Sequence, residues 1–244
     1  MLSIIIPTKN EELYLPHLLR AIENQTYKDL EIIVADADSR DKTREIAKAH
    51  GCTIVPGGHP GKARNEGAKA AKGELLLFLD ADVGIPDEKF IARLIEEFQE
   101  RDLDIAGCST KVQSDSWLER FGGRMYNFYM RMMAYVYPRA TNCILVKRSL
   151  HEAIKGFDET IYQGEDFVYA REASRKGKFA YITSLFFFMS DRRVKTDGPV
   201  RSFIVFVLSE LHIIFLGPIR RDVFKYGFDH DSKDQQRSSQ RQLK

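Results

Sequence analysis

"LLLFLDADVG", residues 75–84, joins five consecutive apolar side chains, Leu75 to Leu79, to two carboxylates one residue apart, Asp80 and Asp82. An apolar run of this length suits a strand buried on both faces, as in parallel sheets. The exit from such a strand is where open α/β sheets bind ligands. In an extended segment the two aspartates project to the same side, about 6–7 Å apart along the backbone. Carboxylates this close repel each other unless a proton or cation lies between them. Mg2+ or Mn2+ suits the position, because these ions take one or two protein carboxylates and fill the remaining sites with water and phosphate oxygens.

The surrounding pattern fits such a sheet. Upstream, Ser3–Ile6, Glu31–Ala35 and Thr53–Val55 read as strands. Between them, Leu15, Leu18, Leu19 and Ile22 form a helical stripe with Asn10 as its expected N-cap. Asp41–His50 reads as a helix closed by Gly51, and Lys62–Lys72 as an Ala-rich helix ending at Gly73. Downstream, Pro86 is expected as a first helical residue, followed by Asp87 and Glu88 and an apolar face of Phe90, Ile91, Leu94, Ile95 and Phe98. Strands alternating with helices predict βαβ units and a mostly parallel sheet. The second half is less regular. Thr141–Val146 and Phe179–Ile182 read as strands, and Glu165–Lys176 as a helix stopped by Gly177. The polar tail from Asp229 onward is expected to be disordered.

At 244 residues the chain suits one domain with an appendage. A net charge of +2 makes no electrostatic case for nucleic acid. Cys52, Cys108 and Cys143 are scattered, without a Cys-x-x-Cys pair, and are expected as reduced structural thiols in a cytosolic setting. "MLSIIIPTKNEE" lacks the basic start and long apolar run of a signal peptide. The most apolar stretch, Phe203–Leu216, is interrupted by Glu210 and His212. It reads as a helix that packs or lies on a membrane, with basic flanks at Arg201 and Arg220-Arg221. Trp117–Val136, rich in aromatics and methionine, suits either an amphipathic core helix or a surface for a greasy acceptor.

Four stretches in order, "SIIIPTKNEE" (3–12), "IIVADADSRDKT" (32–43), "GKARNEGAKAAKGELLLFLDADV" (61–83) and "GEDFVYARE" (164–172), together resemble the family-2 glycosyltransferases. The resemblance covers roughly residues 2–195. It implies an α/β, GT-A-type Rossmann-like αβα sandwich with a mostly parallel central sheet. Residues 1–110 would form the nucleotide-binding half and 111–195 the acceptor and catalytic half, with an amphipathic helical segment over 196–228. The implied chemistry is inverting transfer from a UDP- or GDP-sugar to a sugar acceptor, with Mg2+ or Mn2+ as cofactor. The Trp117–Val136 and basic-flanked Phe203–Leu216 segments together suit a lipid-linked acceptor, such as a polyprenyl phosphate, and a cytoplasmic location with peripheral membrane association.

The resemblance also implies roles for individual residues. Pro7, Thr8, Asn10 and Glu11 line the loop that meets the nucleotide. Asp36 or Asp38 accepts hydrogen bonds from base or ribose. The usual family pattern has adjacent aspartates, whereas "ADADS" spaces them, which leaves the choice between the two open. Lys62, Arg64 and Asn65 approach the base, ribose and diphosphate from a helix start. Asp80-Ala81-Asp82 becomes the metal motif, with Asp82 on the metal and Asp80 on ribose or a water-mediated metal contact. Asp166 is the expected catalytic base, oriented by Glu165, and Arg192-Arg193 are placed to close over the diphosphate. The glycines at 57, 58 and 61 fall short of a P-loop, because Pro56 stands at the first glycine position and Ala63 at the Ser/Thr position. A sugar-phosphate nucleotidyltransferase is disfavoured for want of a glycine-rich triphosphate loop after the first strand. A non-catalytic module would be expected to have lost its acids.

Overall fold

Leu75–Leu79 form strand β4, with every residue from Leu76 to Leu79 buried. In the computed structural model, which describes residues 1–112, 117–190, 192 and 198–224, the strand lies inside a seven-stranded sheet. The strands are β1 (Leu2–Thr8), β2 (Leu30–Asp36), β3 (Thr53–Pro56), β4, β5 (Ile105–Val112), β6 (Cys143–Lys147) and β7 (Phe179–Met189). Their order is β3-β2-β1-β4-β6-β5-β7. Strand β6 runs antiparallel to both β4 and β5, and every other pairing is parallel. After β1 the chain winds outward to β2 and β3, then returns to β1's other side as β4. The crevice between the ends of β1 and β4 is therefore the topological switch point.

Alternation along the strands feeds two apolar layers. Ile4, Ile6, Leu77 and Leu79 pack on one face with α1 (Leu15–Glu23) and α4 (Phe90–Glu100). Ile5, Leu76 and Phe78 pack on the other with α3 (Pro60–Ala70), α6 (Arg148–Ala153) and α7 (Glu165–Ser174). The remaining helices are α2 (Thr43–Ala49), α5 (Trp117–Val136) and α8 (Pro199–Phe215).

Three expectations need correction, at Asn10, Pro86 and Ile182, and one strand, β5, is unexpected. Helix α1 starts at Leu15, so Asn10 is not its cap. Asn10 instead takes a left-handed φ of 53°, which asparagine tolerates better than most residues. Its N–H donates to Ser39 Oγ (2.9 Å), and its Oδ1 accepts from Arg40 N (2.9 Å), tying the loops after β1 and β2 together. Helix α4 starts at Phe90 rather than Pro86, because Gln25 Nε2 donates to Asp87 O (2.8 Å) and anchors the preceding segment as a non-helical turn. Strand β5 reads "IAGCSTKV", too small and polar to signal a strand, and is held by its neighbours β6 and β7. Strand β7 also runs past Ile182 to Met189, with a register irregularity opposite Cys108/Ser109.

Helix α8 is fastened beneath the start of α7. Glu210 pairs with fully buried Arg139, whose guanidinium lies over the rings of Tyr137 (5.0 Å) and Phe167 (4.9 Å). Gln163 Nε2 donates to Ser209 Oγ (2.8 Å), and Tyr162 N to Ile219 O (2.8 Å). Among the described residues no helix is long and apolar enough to cross a membrane. The polar tail from Asp229 and Arg193 both lie outside the described residues.

Candidate active site

Strand β4 keeps a partner on β1 only to Phe78 and on β6 to Leu79. Without a ladder to extend, the chain turns at once, and Val83 N donates to Asp80 O (3.3 Å). The aspartates thus sit in a turn rather than on the extended segment the sequence suggests. The turn sends their carboxylates into two different networks.

Asp80 belongs to the first. Its Oδ1 accepts from Arg64 Nη2 (2.7 Å) and its Oδ2 from Asn142 Nδ2 (2.9 Å). Arg64 projects from α3 into the sheet side, is 3% exposed, and also donates through Nη1 to Glu165 Oε1 (2.5 Å). Burial works against its charge, but Asp80 and Glu165 outweigh it and hold the guanidinium firmly protonated. One arginine therefore links the acids after β4 to the acids opening α7. Removing it leaves two carboxylates facing each other in a largely buried space. Arg64→Met is expected to lower unfolding free energy by about 3–5 kcal/mol, read as an earlier denaturation midpoint at constant slope.

Glu165 is buried and committed to Arg64, whereas Asp166 stands part-exposed beside it. Among the described residues Asp166 accepts only the amide of Phe167 (2.9 Å). Burial, then the charge of Glu165, push the Asp166 carboxyl well above the usual carboxylate range, with Arg64 opposing. Gly164 opens the helix at φ 78°, and a side chain there would meet Ile213 Cδ1 at 2.7 Å, so glycine lets α8 approach this motif closely.

Asp82 belongs to the second network. Its Oδ2 lies 3.3 Å from Arg192 Nη2, and Arg192 also chelates Glu11 at 2.9–3.2 Å and covers the Tyr14 ring at 4.9 Å. Burial, resisted by Arg192, pushes Glu11 up to about 7, with Asp82 and Asp80 adding to the rise. The Asp82 carboxyl is raised chiefly by burial, against Arg192, with Asp80 adding to the rise and the Ser190 hydroxyl opposing it. Arg192 thus faces carboxylates here, not the open space expected for a diphosphate clasp.

The remaining candidates divide in the same way. Asp36 is buried, accepting from Thr8 Oγ1 (3.0 Å), Ser39 N (3.0 Å) and Ser39 Oγ (2.5 Å), so it braces the ends of β1 and β2. Asp38 is exposed at φ 60°. Pro7 lies in register with Ala35 on β2. Asn65 gives its amide to Phe157 O (2.9 Å) and Glu159 (2.9 Å) and takes the Phe157 amide (2.8 Å), fastening α3 to the loop after α6. Lys62 is exposed on α3, and Ala81 is buried in the core. Gly57 passes so near β2 that a Cβ would meet Ala35 O at 2.7 Å, which brings the start of α3 beside Asp36.

Three contributors escaped sequence reading. Asn142 reads as an ordinary strand residue, yet takes φ 51° just before β6, and its asparagine identity is the one signal of that turn. Tyr14 and Ser190 carry no local signal at all.

The residues present fit a divalent cation. Hard carboxylates at 80 and 82 are the donor type Mg2+ and Mn2+ prefer, and Asp82 already has a cationic partner in Arg192. No cluster of three or more His, Cys, Asp or Glu side chains is arranged to hold a metal among the described residues. Two carboxylates are what an ion sharing its shell with phosphate oxygens requires.

Comparison with known proteins gives the same picture. Residues 3–177 match the family described as glycosyl transferase family 2. The uncharacterized glycosyltransferase EpsJ of Bacillus subtilis (strain 168) is 28% identical over 209 residues, covering 82% of this chain and 54% of that protein. The undecaprenyl-phosphate 4-deoxy-4-formamido-L-arabinose transferase of Pseudomonas paraeruginosa is 31% identical over 170 residues, covering 63% of this chain and 49% of that one. The chain therefore spans about half the length of these curated relatives. The mannosyltransferase PcManGT from Pyrobaculum calidifontis, solved with GDP-Man and Mn2+, superposes with a TM-score of 0.67 at 19% identity, covering 85% of this chain and 64% of that one. The fold is thus of the GT-A type. With the family match over most of its length and the acid pairs at the sheet's switch point, the chain belongs to glycosyl transferase family 2.

Proposed function

We propose that the protein is an inverting, divalent-metal-dependent glycosyltransferase that uses a UDP- or GDP-sugar and delivers the sugar to a lipid-linked acceptor such as a polyprenyl phosphate. The observation that carries this reading is the pair of acid motifs on either side of Arg64. Arg64 bridges Asp80 to Glu165, and in this reading Asp80 and Asp82 serve the nucleotide and Glu165 and Asp166 the acceptor. The relatives add support: one is named for an undecaprenyl-phosphate reaction, and a structural neighbour was solved with GDP-Man and Mn2+.

In this reading Asp82, assisted by Asp80, holds the cation. When bound, the cation stabilises the negative charge that builds on the departing nucleoside diphosphate. Arg64 fixes Asp80 and Glu165 so that neither swings into the reaction path. Asp38, exposed at the end of β2, is the side chain offered to the base or ribose, while Asp36 braces its loop. A hydroxyl acceptor approaches the anomeric carbon from the face opposite the diphosphate and loses its proton to Asp166, whose raised pKa makes it a stronger base than an ordinary aspartate. A phosphate acceptor, already anionic, needs no base, and Asp166 then orients it. Peripheral association with the cytoplasmic face of a membrane belongs to the same reading.

A panel of nucleoside diphosphates tests the donor assignment. UDP or GDP, with Mn2+ or Mg2+ present, is expected to raise the melting temperature, while ADP and metal-free samples leave it unchanged. Equal stabilisation without metal removes the cation from the proposal.

A further inference from the structure

Helix α8 is built inside out. Its polar side chains Ser209 and Glu210 are buried, at 6% each, and hydrogen-bond to Gln163 and Arg139. Most of its apolar side chains point outward, Ile213 turning inward among them: Phe203 is 67% exposed and Phe215 77%, with Ile204, Leu208, Leu211 and Ile214 also exposed between them. A surface helix in water has the reverse arrangement.

Helix α5, packed beside it through Tyr126 and Tyr129 against Phe206, also exposes an apolar stripe, although its inward side is apolar too. Trp117, Phe121, Met125, Phe128, Met132 and Tyr135 recur at three- and four-residue spacing and are exposed. Arg120, Arg124 and Arg131, also exposed, recur at helical spacing along one edge of that stripe. Arg201 stands at the start of α8 and Arg220 and Arg221 just past its end, all exposed. Over the same stretches the acids in sequence are Glu119, Glu210 and Asp222; Glu210 is neutralised by Arg139, and Arg220 pairs with Asp158 (3.0 Å), so Arg120, Arg124, Arg131, Arg201 and Arg221 supply the excess charge. An apolar face edged by arginine matches an anionic bilayer, whose phosphates meet the guanidinium groups while the rings enter the headgroup boundary.

We propose that the exposed faces of α5 and α8 form one docking surface for an anionic lipid bilayer. The inner face of α8 contacts Gln163 and Gly164, immediately before Glu165 and Asp166, so docking would hold the acceptor-side acids one helix diameter, roughly 10 Å, from the lipid plane. The inference deepens the lipid-acceptor reading, but its test uses neither donor nor acceptor, so docking and transfer can fail separately.

Trp117, 71% exposed and the chain's single tryptophan, reports directly. Mixing the protein with phosphatidylglycerol/phosphatidylcholine vesicles is expected to shift its emission to the blue and to pellet the protein with the lipid. Phosphatidylcholine alone should bind more weakly, and added salt should weaken the anionic binding. Phe203→Ser with Phe215→Ser should cut partitioning roughly tenfold or more. Arg124→Gln with Arg131→Gln should weaken binding to anionic vesicles alone. Both pairs are exposed, so unchanged circular dichroism is expected. The proposal is overturned if anionic vesicles neither shift nor pellet the protein, or if the phenylalanine pair changes nothing. It is equally overturned if Trp117 is already shielded without lipid in a dimer seen by sedimentation velocity, which would make a second copy the occupant.

Discussion

Asp166→Asn is expected to lower kcat for a hydroxyl acceptor by roughly 10²–10⁴ while leaving nucleoside diphosphate affinity within about twofold. The asymmetry follows from the two-network layout. Asp166 touches neither Arg192 nor Asp82, and Glu165, not Asp166, closes the bridge through Arg64 to Asp80. The substitution therefore removes a proton acceptor without disturbing the donor side. Because burial and Glu165 raise the Asp166 pKa, the parent's kcat/KM should climb with pH along a limb above the ordinary carboxylate range, as the aspartate deprotonates. That limb should vanish in the variant. A phosphate acceptor gives a contrasting expectation, a loss of at most about tenfold and no such limb. Full activity of Asp166→Asn on a hydroxyl acceptor would remove it as the base.

Asp82→Asn is expected to abolish metal-dependent stabilisation by UDP or GDP and to reduce transfer by about 10³ or more. Asp80 is the weaker candidate for the cation because both its oxygens are already engaged, one by Arg64 and one by Asn142. Among the described residues the side chains that engage Asp82 are Arg192, shared with Glu11, and the Ser190 hydroxyl. A neutral amide at 82 removes the charge that attracts the ion and leaves Arg192 bound to Glu11. Calorimetric titration of Mn2+ in the presence of nucleoside diphosphate separates the cases. An Asp82→Asn protein that still binds Mn2+ with parental affinity would move the ligand assignment to Asp80.

How far the sequence could be read follows from the range of the signals. The buried strand Leu75–Leu79 and the apolar faces of α1 and α4 are short-range patterns, and they lie where expected. The acids also fall on the elements their sequence suggested, Asp80 just past a strand end and Glu165 and Asp166 at a helix start. What escaped depends on distant partners. Residues 86–89 are held out of helix by Gln25, more than sixty positions earlier, and β5 is a strand only because β6 and β7 flank it. The commitment of Asn65 to Phe157 and Glu159, and of Arg192 to Glu11, likewise depends on which loops meet, and no local pattern encodes that. The turn at Asp80–Val83 arises because the ladder ends, which the residues themselves do not announce.

The reversed strand β6 has a consequence for how the chain can be divided. It hydrogen-bonds to β4 on one side and to β5 on the other, so it closes the edge that "LLLFL" would otherwise present. A fragment ending at residue 112 would hold β1 to β5 yet leave β4 without its β6 partner, a bare apolar edge open to another chain. Such a fragment should aggregate rather than fold as a small nucleotide-binding domain. Residues 1–110 and 111–195 are thus not separable folding units, and any split or shuffled version of the chain must keep residues 143–147 with the first half.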